Sequence, residues 1–256
     1  MKKVFFGFLV VALVMSFSIA YADTLQYTNV RPTAIGLSSD GAAYNLQNLL
    51  PGFDVYNDQQ AAGYWNLGGI NPAALPVVSF EITANSATLQ MGIFSDVNGD
   101  TDATGRTLVD IFKGAATAAT KAVLYFDTNT GMLTISSVGG NPLNSVNEGN
   151  FAGINVNGFG FYIQPNGQDV PTWYSLDQLN GGLAQMVAFR DTNANRWTIC
   201  FEDIAITDAN GRPQGDYDYN DFIFQIESIT PVPEPASMLL LGLGLFGIGL
   251  VSRKKS

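Results

Sequence analysis

Two short stretches near the end of the chain carry most of its ligating chemistry: Phe201-Glu202-Asp203, and Gly215-Asp216-Tyr217-Asp218-Tyr219-Asn220-Asp221. Glu202, Asp203, Asp216, Asp218, Asn220 and Asp221 all end in hard oxygen atoms. Carboxylates crowded to hydrogen-bonding distance repel by a few kcal/mol at an effective dielectric of about 20, unless they are protonated or a cation neutralises them. Ca²⁺ takes six to eight oxygens from such Asp, Glu and Asn groups and tolerates irregular geometry, whereas Mg²⁺ is less suited to a crowded all-protein cage. These six residues are therefore the candidate calcium site, with the ion in a structural role. Against it stands a plainer reading, in which Asp and Asn simply form the turns of a solvated acidic loop; the density of ligands favours the ion.

Strands must present both stretches. The runs 77–83, 87–94, 107–112, 122–126, 132–136, 158–163, 184–189, 197–201 and 222–229 are brief and rich in β-branched and aromatic residues, and Gly, Asn, Asp or Pro bounds them. Several alternate, as in Phe222, Phe224 and Ile226 against Ile223, Gln225 and Glu227. The stretches 127–131 and 191–195 join pairs of runs with residues that tolerate positive φ, so they are expected hairpin connections. Asp216, Asp218 and Asn220 would share the buried face of Phe222 if the last strand began early, so that segment is expected to be a loop until about Asp221. No sustained helical period occurs between the two ends of the chain. The expected fold class is all-β, an antiparallel β-sandwich or jelly-roll-like domain. Residues 23–71 show no regular pattern.

A second acidic cluster, Asp96, Asn98, Asp100 and Asp102, spaces oxygens at every second residue as an EF-hand loop begins. It departs from that pattern because Gly99 stands at the fourth place and Thr107 at the bidentate Glu position. It is either a turn or a second, weaker calcium site. Catalysis has little support: the chain has no histidine, and neither a nucleophile elbow nor a phosphate loop is present. The protein is expected not to be an enzyme. A carboxylate-dependent glycoside hydrolase would need two of Glu81, Glu148, Glu202 and Glu227 as a pair, and nothing in their spacing selects two. A carbohydrate-binding module, stacking sugars on Trp65, Trp173 or Trp197 with the ten tyrosines, is the other alternative; Trp197 in its apolar strand is expected in the core, and Trp173, in a Gly/Asn-rich segment, is the better placed for exposure. Cys200 is the chain's single cysteine, so no intrachain disulfide forms; in an apolar run it is expected to be a small buried hydrophobe.

The two ends are targeting segments. Lys2 and Lys3 precede a long apolar run that closes on Ala20-Tyr21-Ala22, the pattern of a signal peptide over 1–22 that signal peptidase cleaves between Ala22 and Asp23. At the other end Val232-Pro233-Glu234-Pro235 leads into an uncharged stretch over 236–251 and then Arg253, Lys254 and Lys255. At about 1.5 Å per residue that stretch makes a helix of roughly 24 Å, short for a hydrocarbon core of about 30 Å. The basic end would keep the C-terminus in the cytoplasm, and the two prolines would keep the junction extended and reachable. These three parts in order resemble the PEP-CTERM sorting signals of Gram-negative bacteria. The resemblance implies processing by an exosortase near the Pro-Glu-Pro box, transient anchoring in the inner membrane, and a final place either on the cell surface or in the extracellular space.

Five of the twelve basic residues lie in these end segments, leaving seven against the chain's 22 acidic ones. Such an excess repels nucleic acid and anionic lipid and gathers cations. The residues between, 23–230, are long enough for one exported domain with its own core, and 231–256 form the sorting signal. Phe159-Gly160-Phe161-Tyr162, Phe201-Glu202-Asp203 and the run from Asp216 to Phe222 together resemble domain-of-unknown-function family 4114, over 157–227 and more weakly over 91–136. That resemblance implies an exported bacterial surface protein that binds calcium. The expected function is thus a calcium-stabilised, non-enzymatic protein of the cell surface or biofilm matrix, with exopolysaccharide as an expected partner.

Overall fold

The computed structural model describes residues 29, 31–32, 35–67, 73–74, 76–81, 88–96, 98, 105–165, 171–205 and 215–232. Strands dominate them, with a few short helical turns, and every strand pairing is antiparallel. A five-stranded sheet runs in the order β1 (Gln59–Gln60), β12 (Met186–Asp191), β13 (Arg196–Phe201), β14 (Phe222–Glu227), β4 (Val77–Glu81). A four-stranded sheet has the order β11 (Trp173–Tyr174), β10 (Gly160–Gln164), β5 (Gln90–Asp96), β6 (Arg106–Phe112). A second four-stranded sheet joins β3 (Ala73–Ala74), β7 (Ala122–Asp127), β8 (Met132–Ser137) and β9 (Gly149–Phe151). The last strand, β15 (Ile229–Pro231), pairs with β2 (Trp65–Leu67).

The expected hairpins form where the turn chemistry put them. Asp127 Oδ1 accepts from the Asn129 amide (2.8 Å), and Gly131 closes the turn at φ 69, a left-handed conformation that costs glycine little. The Asp191 carboxylate caps the Asn193 and Ala194 amides in the same way before Asn195 at φ 48. One expected strand is broken. The 222–229 run ends at Glu227 because Ser228 adopts φ 64, and Ile229 opens β15 on a different partner.

The main core lies where the five-stranded sheet faces the β10 sheet. Trp65 and Phe161 rings are 5.0 Å apart, Phe161 and Phe224 are 5.0 Å apart, and Trp65 meets Trp197 edge-on at 5.7 Å. Trp197, Ile199 and Phe201 of β13 and Phe222, Phe224 and Ile226 of β14 all point into it. The alternate residues Val187, Phe189, Cys200 and Ile223 face the other way, yet they are buried too. Ile35, Leu46, Leu50 and Val55, from the stretch without regular pattern, cover them. Covering both faces removes far more apolar surface from water than one face would, at about 25 cal/mol per Å². Cys200 is wholly buried there as a free thiol, and burial pushes its ionisation far above the ordinary range.

Among the described residues no helix is long and apolar enough to cross a membrane. The expected span over 236–251, the signal peptide 1–22 and its cleavage point at Ala22 and Asp23 lie outside the described residues.

Candidate metal centre and sorting tail

Strands β13 and β14 are neighbours, so the residue just after one and the residue just before the other meet at the same end of the sheet. Phe201 pairs with Phe222, which sets Glu202 beside Asp221. The loop from Gly215 to Asp221 then folds Asp218 onto them. Carboxylate oxygens of Glu202, Asp218 and Asp221 all lie within 4.8 Å of one another.

The backbone makes this possible through two left-handed residues, Tyr217 (φ 62) and Tyr219 (φ 53). A non-glycine residue pays of order 1 kcal/mol or more for that conformation, so the surroundings must hold it there. Tyr219 is wholly buried, and its hydroxyl donates to the Ala184 carbonyl at 2.7 Å. The Gly36 amide donates to the Tyr217 carbonyl at 2.7 Å. A Cβ at Gly36 would sit 1.8 Å from the Asp216 carbonyl oxygen, so only glycine lets the two backbones approach this closely.

Asn220 is fixed by its amide hydrogens, which reach Ser38 Oγ (2.9 Å), the Tyr44 carbonyl (2.9 Å) and Asp218 Oδ2 (2.6 Å). Its Oδ1 is left buried without a hydrogen-bond partner, and so is Glu202 Oε2. Each such orphan costs about 1–3 kcal/mol. Glu202, Asp218 and Asn220 are each 1% exposed, and among the described residues no basic side chain forms an ion pair with Glu202, Asp218 or Asp221. Desolvation, with neighbouring carboxylates adding to it, pushes Asp218 up to about 6. The same two causes raise Glu202 and Asp221, which share one site and cannot comfortably both ionise.

The six expected ligands thus divide. Glu202, Asp218 and Asp221 converge, and Asn220 stands beside Asp218 with its own Oδ1 buried and without a hydrogen-bond partner. Asp216 turns toward Ser39, whose hydroxyl donates to Asp216 Oδ2 at 2.9 Å, and contributes its charge from there. Asp203 has its amide on Asp221 Oδ2 at 2.8 Å and its carbonyl on the Trp173 indole at 2.8 Å, so it holds the loop ends in place. Sequence reasoning missed Ser38, Ser39, Gly36 and Tyr44. No local pattern signals a pairing of residues so far apart in the chain.

The second acidic cluster has a different environment. Asp96 Oδ2 is 3.1 Å from Arg106 Nε, in a pair with almost no exposure, and Arg106 also lies over the Tyr174 ring at 4.9 Å. Asp96 Oδ1 accepts from the Asn98 amide at 3.0 Å as a turn residue does. Asp100 and Asp102 lie outside the described residues. Of the tryptophans weighed for sugar stacking, Trp65 and Trp197 are buried in the core, and Trp173 is half-buried and packed against it.

At the end of β15 the Val232 amide donates to the Tyr64 carbonyl at 3.0 Å, the last described contact of the chain. Residues 231–255 match the PEP-CTERM protein-sorting motif. The chain carries an exosortase sorting signal. The motif implies an exported protein that an exosortase processes at the membrane. The match covers the tail and does not extend to the likeness with family 4114. No curated protein and no solved structure matches the chain. Pro233, Glu234, Pro235, Arg253, Lys254 and Lys255 of this PEP-CTERM tail lie outside the described residues.

Proposed function

We propose that the exported domain is a calcium-stabilised, non-enzymatic β-sandwich of the cell surface or extracellular matrix, with one Ca²⁺ at Glu202, Asp218, Asp221 and Asn220 Oδ1. One observation carries the reading: three carboxylates within 4.8 Å, two of them almost unexposed, with Glu202 Oε2 and Asn220 Oδ1 left without partners. A hard divalent cation offsets the mutual repulsion and the orphaned oxygens together, which a monovalent ion or a water does less well. The facing of the β13 and β10 sheets around one aromatic core supports the sandwich, and the strongly acidic exported part supports a cation-rich exterior setting.

Calcium titration calorimetry on the chain from Asp23 to Val232, with melting curves in calcium and in chelator, tests this. Stoichiometric heat together with a raised melting temperature is the expected result. Absence of both would leave a protonated carboxyl cluster and no metal site. Retention on an exopolysaccharide gel would mark the matrix partner, and release of reducing sugar would make the domain a hydrolase instead.

A further inference from the structure

We infer that β15 must come away from β2 before the exosortase can process the tail, so that the folded domain itself restrains its own sorting. The first two residues of the matched segment, Pro231 and Val232, are parts of the fold. Pro231 stands opposite Trp65, the Thr230 hydroxyl donates to Asn66 Oδ1 at 2.7 Å, and the Val232 amide is bonded to Tyr64. Ile229 is fully buried in the main core, and Val232 packs on the cluster of Tyr64, Phe94, Tyr162 and Leu176. Pro231 and Val232, just before the two prolines, are therefore held by the fold, while Pro233 and Pro235 lie outside the described residues.

Chain length makes the restraint matter. Only Pro233, Glu234 and Pro235 separate Val232 from Ala236, where the uncharged stretch begins. Four Cα steps reach at most about 14 Å, and the headgroup layer takes about 5–8 Å of that. A folded domain clamped at Val232 then lies against the membrane surface and leaves no room for an enzyme around the box. An enzyme that binds its peptide as an extended strand also needs backbone groups on both sides of the cut, and those of residues 229–232 are held by β2 and Tyr64. A two-strand ribbon at the end of a domain is drawn from the low-stability end of a fold, so its opening is a local event that withdraws Ile229 from the core and leaves the larger sheets paired.

The test uses the full chain expressed with its exosortase, following precursor and product by pulse labelling. Asn66→Cys with Thr230→Cys places two thiols on neighbouring cross-strand positions, while Cys200 is buried out of reach. The oxidised double variant is expected to be processed at least about tenfold more slowly than the wild type, with recovery when reductant is added to the culture, because the lock forbids the opening. A Gly/Ser spacer followed by a repeated Pro-Val after Val232 is expected to restore processing in the locked protein. Wild-type processing of the oxidised variant would overturn the inference, as would a spacer that restores nothing. Failure of the pair to oxidise would mean that β15 is not seated on β2, and overturns it equally.

Discussion

Asp96 and the Glu202 cluster are both carboxylate sites at strand ends, and the chain treats them in opposite ways. Asp96 receives Arg106 from the adjacent strand, so its charge is answered within the fold. Glu202, Asp218 and Asp221 receive one another, with Asn220 beside them and no basic partner among the described residues. Equal chemistry at the side-chain level therefore gives a finished ion pair in one place and a cluster of mutually repelling carboxylates in the other. The difference lies in which strand is the neighbour.

The largest way to break the comparison is Arg106→Met. It removes the cationic partner of a nearly unexposed Asp96 carboxylate, a change that costs about 3–5 kcal/mol, and chemical denaturation should show that loss equally in calcium and in chelator. A loss that calcium repairs would make Asp96 part of a second ion site. Next comes pH. The folded-state value of Asp218 is raised above its unfolded value, so its contribution to stability is complete below about pH 4 and is lost as pH rises through about 6. In chelator Asp218 alone should therefore cost the domain about 3 kcal/mol between pH 4 and 7, with Glu202 and Asp221 deepening the loss, and saturating calcium should flatten that slope. A melting temperature that rose with pH in chelator would contradict the raised carboxyls.

Calcium at about 100 times its dissociation constant should add about 2.7 kcal/mol, and Asp218→Ala should erase most of the accompanying rise in melting temperature. Smallest is Glu202→Gln, which removes one of the repelling charges while keeping the shape. In chelator it should raise stability by about 1 kcal/mol, and in calcium it should bind more weakly, so the two melting curves of the variant should move toward each other. Arg106→Met would show no such convergence.

Much of this was legible from the sequence because the long strands carry their own period. All nine expected runs correspond to strands, with boundaries displaced by a few residues. The two-residue strands Gln59–Gln60 and Ala73–Ala74 have no period to detect, and the three-residue strands Trp65–Leu67 and Ile229–Pro231 take their ladder from each other. Ser228 illustrates the limit. Its left-handed φ shifts the phase of alternation, so Ile229 rejoins the core that Ile226 left, and an uninterrupted reading of 222–229 places it on the opposite face. For the candidate site, the acidic residues were visible and the partition among them was not. That partition depends on Gly36, Ser38, Ser39 and Tyr44 arriving from the far end of the chain.

That arrival has a consequence for export. Strand β14 lies inside the five-stranded sheet, between β13 and β4, and its outer face is closed by residues near the start of the domain. In a chain that leaves the cytoplasm N-terminus first, the covering segment emerges at the beginning and the central strand almost at the end. The inner position of the sheet therefore stays vacant until residues 222–227 have crossed, so the sheet is completed only by a pairing distant in sequence, which is slow to form. Order in the domain is completed just as its sorting tail reaches the membrane.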